Sequence, residues 1–144
     1  MKAAAIKRFV VDASVTLAWC FPGEGTNGTE ALLDQLATGS AAIAPSIWPF
    51  EVANALLMGE RRKRITMAQV TAMLERIAGL PISLDPIWLD SLFGQVLSLA
   101  RQQHLTEYDA SYIELALREN LPLATLDDQL RRAARNAGIA LVKI

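Results

Sequence analysis

Five short apolar runs, each separated from the next by a longer stretch with helical spacing, constrain this chain more than any other feature. They are residues 8–12 (RFVVD), 41–44 (AAIA), 82–85 (ISLD), 121–125 (LPLAT) and 139–142 (IALV). Strands that alternate with helices predict an α/β fold with a mainly parallel sheet of about five strands. Helices are expected at 28–38, 47–63, 67–78, 87–103, 107–119 and 128–137. Gly39 and Gly138 stand where a helix end favours a left-handed residue. Thr66 and Gln69 have capping-box spacing, and Pro122 marks its strand as an edge or a strand start. Right-handed crossovers would gather the strand C-termini along one edge, where open α/β sheets carry their sites.

Composition narrows the class. A length of 144 residues fits one domain, 1–144, and 52% hydrophobic content supplies a core without disulfides. The single cysteine, Cys20, excludes a disulfide framework or a Cys-rich zinc site and suits a reducing cytoplasm. The start of the chain is basic and has no long uncharged apolar run before Asp12, so no signal peptide is expected. No stretch of about 18 uncharged apolar residues predicts a membrane span. With 14 basic and 15 acidic residues, the net charge of −1 does not advertise nucleic-acid binding, but it leaves room for charge segregated between faces. His104, in the turn RQQHLT, reads as a surface residue.

Four acids stand where a charge needs a reason. Asp12 ends the first strand directly after Phe9, Val10 and Val11, and Asp127 follows the LPLAT strand. If those strands are parallel neighbours, both carboxylates stand on one edge. Glu51 falls on the apolar stripe of Trp48, Val52, Ala55 and Leu56, and Asp109 precedes Tyr112 and Ile113 by three and four residues. Each acid also has an ordinary explanation. Asp12 caps a helix beginning near Ser14, Thr106 and Asp109 form a capping box, Asp127 caps the last helix, and Glu51 is half exposed. Together they argue for more, because no Lys or Arg occupies a comparable strand-end position. Clustered carboxylates repel, a divalent cation removes the repulsion, and oxygen-only ligands suit Mg2+ or Mn2+ rather than zinc.

The segments FVVDASV, PSIWPFEVANAL…RRKRIT, LTEYDASYIELA and LPLATLDDQL resemble the successive motifs of PIN-domain ribonucleases, above all the VapC toxins of toxin–antitoxin pairs. The resemblance runs from Asp12 to about Leu130. It implies a three-layer α/β/α sandwich with Asp12, Glu51 and Asp109 as the first three site acids around Mg2+ or Mn2+. The fourth is Asp127, or Asp128 beside it. Ser14 and Thr125 match small polar positions that line such sites. The implied activity is endoribonucleolytic hydrolysis by a metal-activated water, leaving a 5′-phosphate and a 3′-hydroxyl. The implied partners are RNA, a cognate antitoxin protein and a second copy of the chain, in the cytoplasm.

Arg61, Arg62, Lys63 and Arg64, with Arg131, Arg132 and Arg135, are candidates for contact with the RNA backbone, or else solvated helix ends. Exposed apolar side chains near 28–38 and 47–60 are the expected protein-binding surfaces. Two alternatives compete. One is a catalytically degenerate PIN domain that only binds protein. The other is a phosphoacceptor receiver domain using Asp12, Asp85 and Lys143.

Overall fold

The computed structural model of the protein describes residues 6–144; residues 1–5, at the start of the segment considered for a signal peptide, lie outside it. Strands β1 (Arg8–Val11), β2 (Ala41–Pro45), β3 (Ile82–Asp85) and β4 (Leu123–Ala124) form one parallel sheet in the order β3-β2-β1-β4. Phe9 pairs with Ala42 and Val10 with Leu123, so β1 is central and Phe9, Val10 and Val11 are fully buried. A strand covered on both faces has no polar side, hence its unbroken apolar run.

The sheet has four strands where five are expected. Residues 139–142 contribute an isolated Leu123–Leu141 bridge, with Leu123 N–H bonded to Ala140 and Val142 N–H to Leu123. Their neighbour β4 is only two residues long, which leaves little ladder to pair with. Pro122 has no N–H to give, and Thr125 already turns its side chain into the site.

The helices follow from local sequence. They are α1 (Ala13–Cys20), α2 (Asn27–Ala37), α3 (Trp48–Arg61), α4 (Met67–Ala78), α5 (Leu89–Ser91), α6 (Leu97–Gln103), α7 (Glu107–Glu119) and α8 (Asp128–Asn136). The reciprocal Thr66–Gln69 capping box opens α4, and Gly39 (φ 123) and Gly138 (φ 77) follow α2 and α8 as expected. Helix α1 is not foreseen as an element, because ASVTLAWC is apolar on nearly every side and shows no stripe. The single helix expected over 87–103 is broken. Pro86 follows β3, α5 is three residues long, and a π-helical turn at Leu92–Val96 leads into α6. No helix among the described residues is long and apolar enough to cross a membrane.

Helix α1 packs on α2 and α3, and α3 on α4; α7 packs on α6, α8 and three of the strands. The sheet is thus flanked by helices. Leu32, Leu33 and Leu36 of α2 all face the core, so the apolar surface expected at 28–38 does not exist. Phe50 and Leu57 of α3 are exposed as anticipated. A larger exposed set lies elsewhere: Leu84, Ile87, Trp88, Leu89 and Phe93, with Tyr108.

Candidate active site

Four helix N-termini meet the C-terminal edge of the sheet, and each carries one of the four acids. Asp12 is the N-cap of α1 and Asp127 the N-cap of α8; Glu51 and Asp109 lie in the first turns of α3 and α7. Helices α1, α3 and α8 begin there because they follow β1, β2 and β4. Helix α7 begins there because it runs back down the sheet before β4.

Asp12 is 4% exposed and fully hydrogen-bonded. Its Oδ1 accepts from Ser14 Oγ (2.7 Å) and Val15 N–H (3.1 Å), and its Oδ2 from Thr125 Oγ1. The two hydroxyls also tie α1 to the β4–α8 turn, since Ser14 Oγ accepts from Leu126 N–H (2.9 Å) and Thr125 Oγ1 from Asp127 N–H (3.0 Å). Behind them, Trp48 Nε1 donates to Thr16 Oγ1 (3.0 Å), which donates to the Asp12 carbonyl (3.0 Å). This chain locks α3 to the start of α1. Burial pushes the Asp12 carboxyl above its ordinary range, with a smaller push from the charge of Asp127.

Glu51 is half-buried, and Tyr112 Oη donates to its Oε1 at 2.6 Å. Burial raises its pKa, and the charges of Asp109 and Asp12 raise it further. Asp109 is shifted up by burial and by Asp127. Tyr112, buried against the same acids, is held protonated by burial first and by Glu51 second. Tyr112 was not foreseen as a site residue, since it reads as part of the apolar face of α7. Its signal is the spacing: it stands one turn after Asp109, so its hydroxyl reaches the edge that Asp109 occupies.

The capping explanations hold in part. Asp12 and Asp127 do cap, accepting from Val15 N–H and, at 2.9 Å, from Leu130 N–H. Thr106 Oγ1 accepts from Asp109 N–H (3.1 Å), but no return bond from Thr106 N–H to the Asp109 carboxylate appears among the described residues, so that carboxylate is not used for capping. Asp128 points outward with its side chain 91% exposed, 3.8 Å from Arg131.

None of Asp12, Glu51, Asp109 and Asp127 has an ion pair among the described residues. As the side chains stand, no group of three or more His, Cys, Asp or Glu among the described residues is set to hold a metal ion. The chemistry of the donors still suits one. They are all oxygens, and three of them are pushed toward the neutral form by burial and mutual charge, which an entering hard cation reverses.

The basic candidates divide. Arg131 starts near the edge, its Nε donating to the Thr125 carbonyl (3.0 Å), and Arg132 is exposed beside it. Arg61, Arg62, Lys63 and Arg64 are exposed at the far end of α3. Ten residues at about 1.5 Å each carry Arg61 roughly 15 Å along the axis from Glu51. His104 is a left-handed helix terminus (φ 55). The receiver arrangement is not formed. Strand β2 separates Asp85 from Asp12, and Arg118 NH2 holds the Asp85 carboxylate at 2.6 Å.

Residues 9–136 match the PIN domain family. Ribonuclease VapC3 of Mycobacterium tuberculosis is 36% identical over 94 residues, 65% of this chain and 66% of that protein, so the match spans just under two thirds of the relative. The fold is similar to that of PAE2754 from Pyrobaculum aerophilum, with a TM-score of 0.67 and 24% identity over 90% of this chain and 87% of the other. It is similar also to VapBC2 from Rickettsia felis bound to a DNA fragment from their promoter, with a TM-score of 0.65 and 14% identity over 93% and 96%.

Proposed function

The chain belongs to the PIN-domain family, and from that premise we propose that it is a single PIN domain over 1–144 acting as a Mg2+- or Mn2+-dependent endoribonuclease, the toxin of a toxin–antitoxin pair in the cytoplasm. One observation carries this reading: four carboxylates converge at one sheet edge, and none of them has an ion pair among the described residues. The likeness to a protein named Ribonuclease VapC3 supports the substrate class.

In this proposal Asp12, Glu51, Asp109 and Asp127 hold the divalent cation, which supplies an acidified water and offsets charge on the leaving oxygen. The remaining work falls to the chain itself. Ser14, Val15 N–H and Thr125 fix Asp12. Tyr112 fixes one oxygen of Glu51 and leaves the other free. Arg131 and Arg132 are the cations proposed to meet a phosphate, and Arg61 to Arg64 would contact RNA only further along its backbone.

The partners proposed are a cognate antitoxin and a second copy of the chain. The first draws on the likeness to VapBC2, the second on the exposed Phe50 and Leu57 of α3. Sedimentation at micromolar concentration tests the dimer, and a monomer would refute it.

Cleavage of RNA by the pure protein, with Mg2+ or Mn2+ and again in EDTA, tests the enzyme. Cleavage that persists in EDTA removes the metal mechanism. No cleavage with either metal leaves the protein-binding alternative.

A further inference from the structure

Among the described helices of eight or more residues, α3 alone opens without a side-chain cap. The others begin on Asp12, Thr26, Thr66, Thr106 and Asp127, each of which accepts from the first turn that follows it. The N-cap of α3 is Ile47, which has no side-chain oxygen, and Pro49 has no N–H to be capped. Yet this first turn carries Glu51. Local sequence leaves open where the turn points, so a contact from elsewhere in the chain has to fix it.

That contact comes from Trp48, the first residue of α3. Its buried indole N–H donates to Thr16 Oγ1 (3.0 Å), the one side-chain hydrogen bond between α1 and α3 among the described residues. Thr16 is fully buried, and its hydroxyl gives its single proton to the Asp12 carbonyl (3.0 Å). The backbone N–H of Thr16 reaches the same carbonyl only at 3.4 Å, so the hydroxyl is the closer hold on residue 12. The other ties near the turn lead elsewhere. Ser46 Oγ donates to the Asp85 carbonyl of β3, and Tyr112 holds the Glu51 carboxylate from α7. Among side chains, Trp48 alone joins the turn of Glu51 to the strand end of Asp12.

We propose that Thr16 and Trp48 are positioning residues for the divalent cation: their hydrogen bond holds the turn of Glu51 against the main chain of Asp12, so the two acids are gathered before the cation arrives. The inference rests on the metal-binding reading of the four acids. Like charges at one edge repel, and no direct hydrogen bond joins Asp12 to Glu51 among the described residues. The relay opposes that repulsion. Without it the turn relaxes away from β1, and drawing it back weakens binding.

The probe is Mn2+ alone, titrated into the full chain at a temperature where circular dichroism shows each variant folded, with free Mn2+ read by electron spin resonance. Thr16→Val and Trp48→Phe should each raise the Mn2+ dissociation constant by about 10–100-fold, the range for outer partners of metal ligands. The double variant should bind no more weakly than the weaker single one, because both changes break the same line. Thr16→Ser keeps the hydroxyl and should stay within about twofold of the unaltered chain, on the same reasoning. A purely structural bond would lower the melting temperatures and leave the dissociation constant of the folded chain alone. That outcome overturns the proposal, as do additive losses in the double variant. An unaltered chain that takes up no Mn2+ overturns the metal reading itself, and this inference with it. Where the variants fail to fold, the unaltered chain decides. Saturating Mg2+ should slow solvent exchange of the Trp48 indole N–H several-fold and leave that of the exposed Trp88 unchanged. Equal exchange at Trp48 with and without Mg2+ overturns the proposal.

Discussion

The same sheet edge is finished differently at its two ends. Over β1 and β4, every oxygen of Asp12 has a donor and two hydroxyls knit the surrounding turns together, yet none of the four acids has an ion pair among the described residues. Beyond β3, Arg118 pairs Asp85 and Glu114 but leaves Glu107 unpaired among the described residues, large apolar side chains stand in solvent, and one buried carboxylate oxygen has no donor among those residues. Hydrogen-bond satisfaction and charge balance are therefore separate demands. A rigid, satisfied and unbalanced site suits a small ion. An apolar cleft whose one guanidinium is shared between two of its three carboxylates is a different kind of surface.

The largest test of this contrast is Asp12→Asn. Outer partners of metal sites are typically worth 10–100-fold, so loss of a direct carboxylate should lower RNA cleavage by at least about 100-fold; near-normal rates would take Asp12 out of the site. The same variant should raise the melting temperature of the metal-free protein. Burial lifts the folded-state pKa of Asp12, so its charge opposes folding. The sign gives a window: below the ordinary aspartate pKa the two proteins should melt alike. The advantage of Asn should grow as pH rises through the elevated folded-state value and then level off.

Arg118→Ala probes the other end. It strips Glu114, 7% exposed, of its only ion-pair partner among the described residues. A half-exposed guanidinium should be worth roughly 1–3 kcal/mol, between the values for surface and buried pairs. Urea unfolding should report that loss while metal-dependent cleavage stays within a few-fold. A large loss of cleavage would mean that the two ends are coupled.

A smaller effect separates capping from ligation within α7. Thr106→Ala should cost about 1 kcal/mol equally in EDTA and in Mg2+, as cap removals do. Asp109→Ala should leave the metal-free melt unchanged or higher and reduce the rise produced by Mg2+. Equal drops in both conditions would make Asp109 a structural residue. The smallest effect belongs to Asp128→Ala, whose exposed side chain should matter by under about 0.5 kcal/mol. A loss of cleavage greater than that of Asp127→Ala would exchange the roles of the two residues.

Much of this was legible in the residues. The run Phe9–Val11 could only be a doubly covered strand, and acids at its end and at helix starts fall on one edge once the strands are parallel. What stayed hidden depends on contacts distant in sequence or on broken periodicity. Tyr112 reads as core until α3 brings Glu51 to its hydroxyl. Helix α1 has no polar face to betray it. The π-helical turn at Leu92–Val96 shifts the phase of 87–103, so a regular helix projected from sequence misplaces Phe93. Glu107 looks like any acid in a first turn until the cleft forms around it.

The hydrogen bond between Thr125 and Asp12 spans 113 residues. A chain made from its N-terminus at about 5–20 residues per second has Asp12 in hand roughly 6–23 s before Thr125 is added. Through that interval the first acid lacks one of its three donors, and neither β4 nor the cap of α8 exists. Until Thr125 and Asp127 are added, the growing chain carries its acids unassembled.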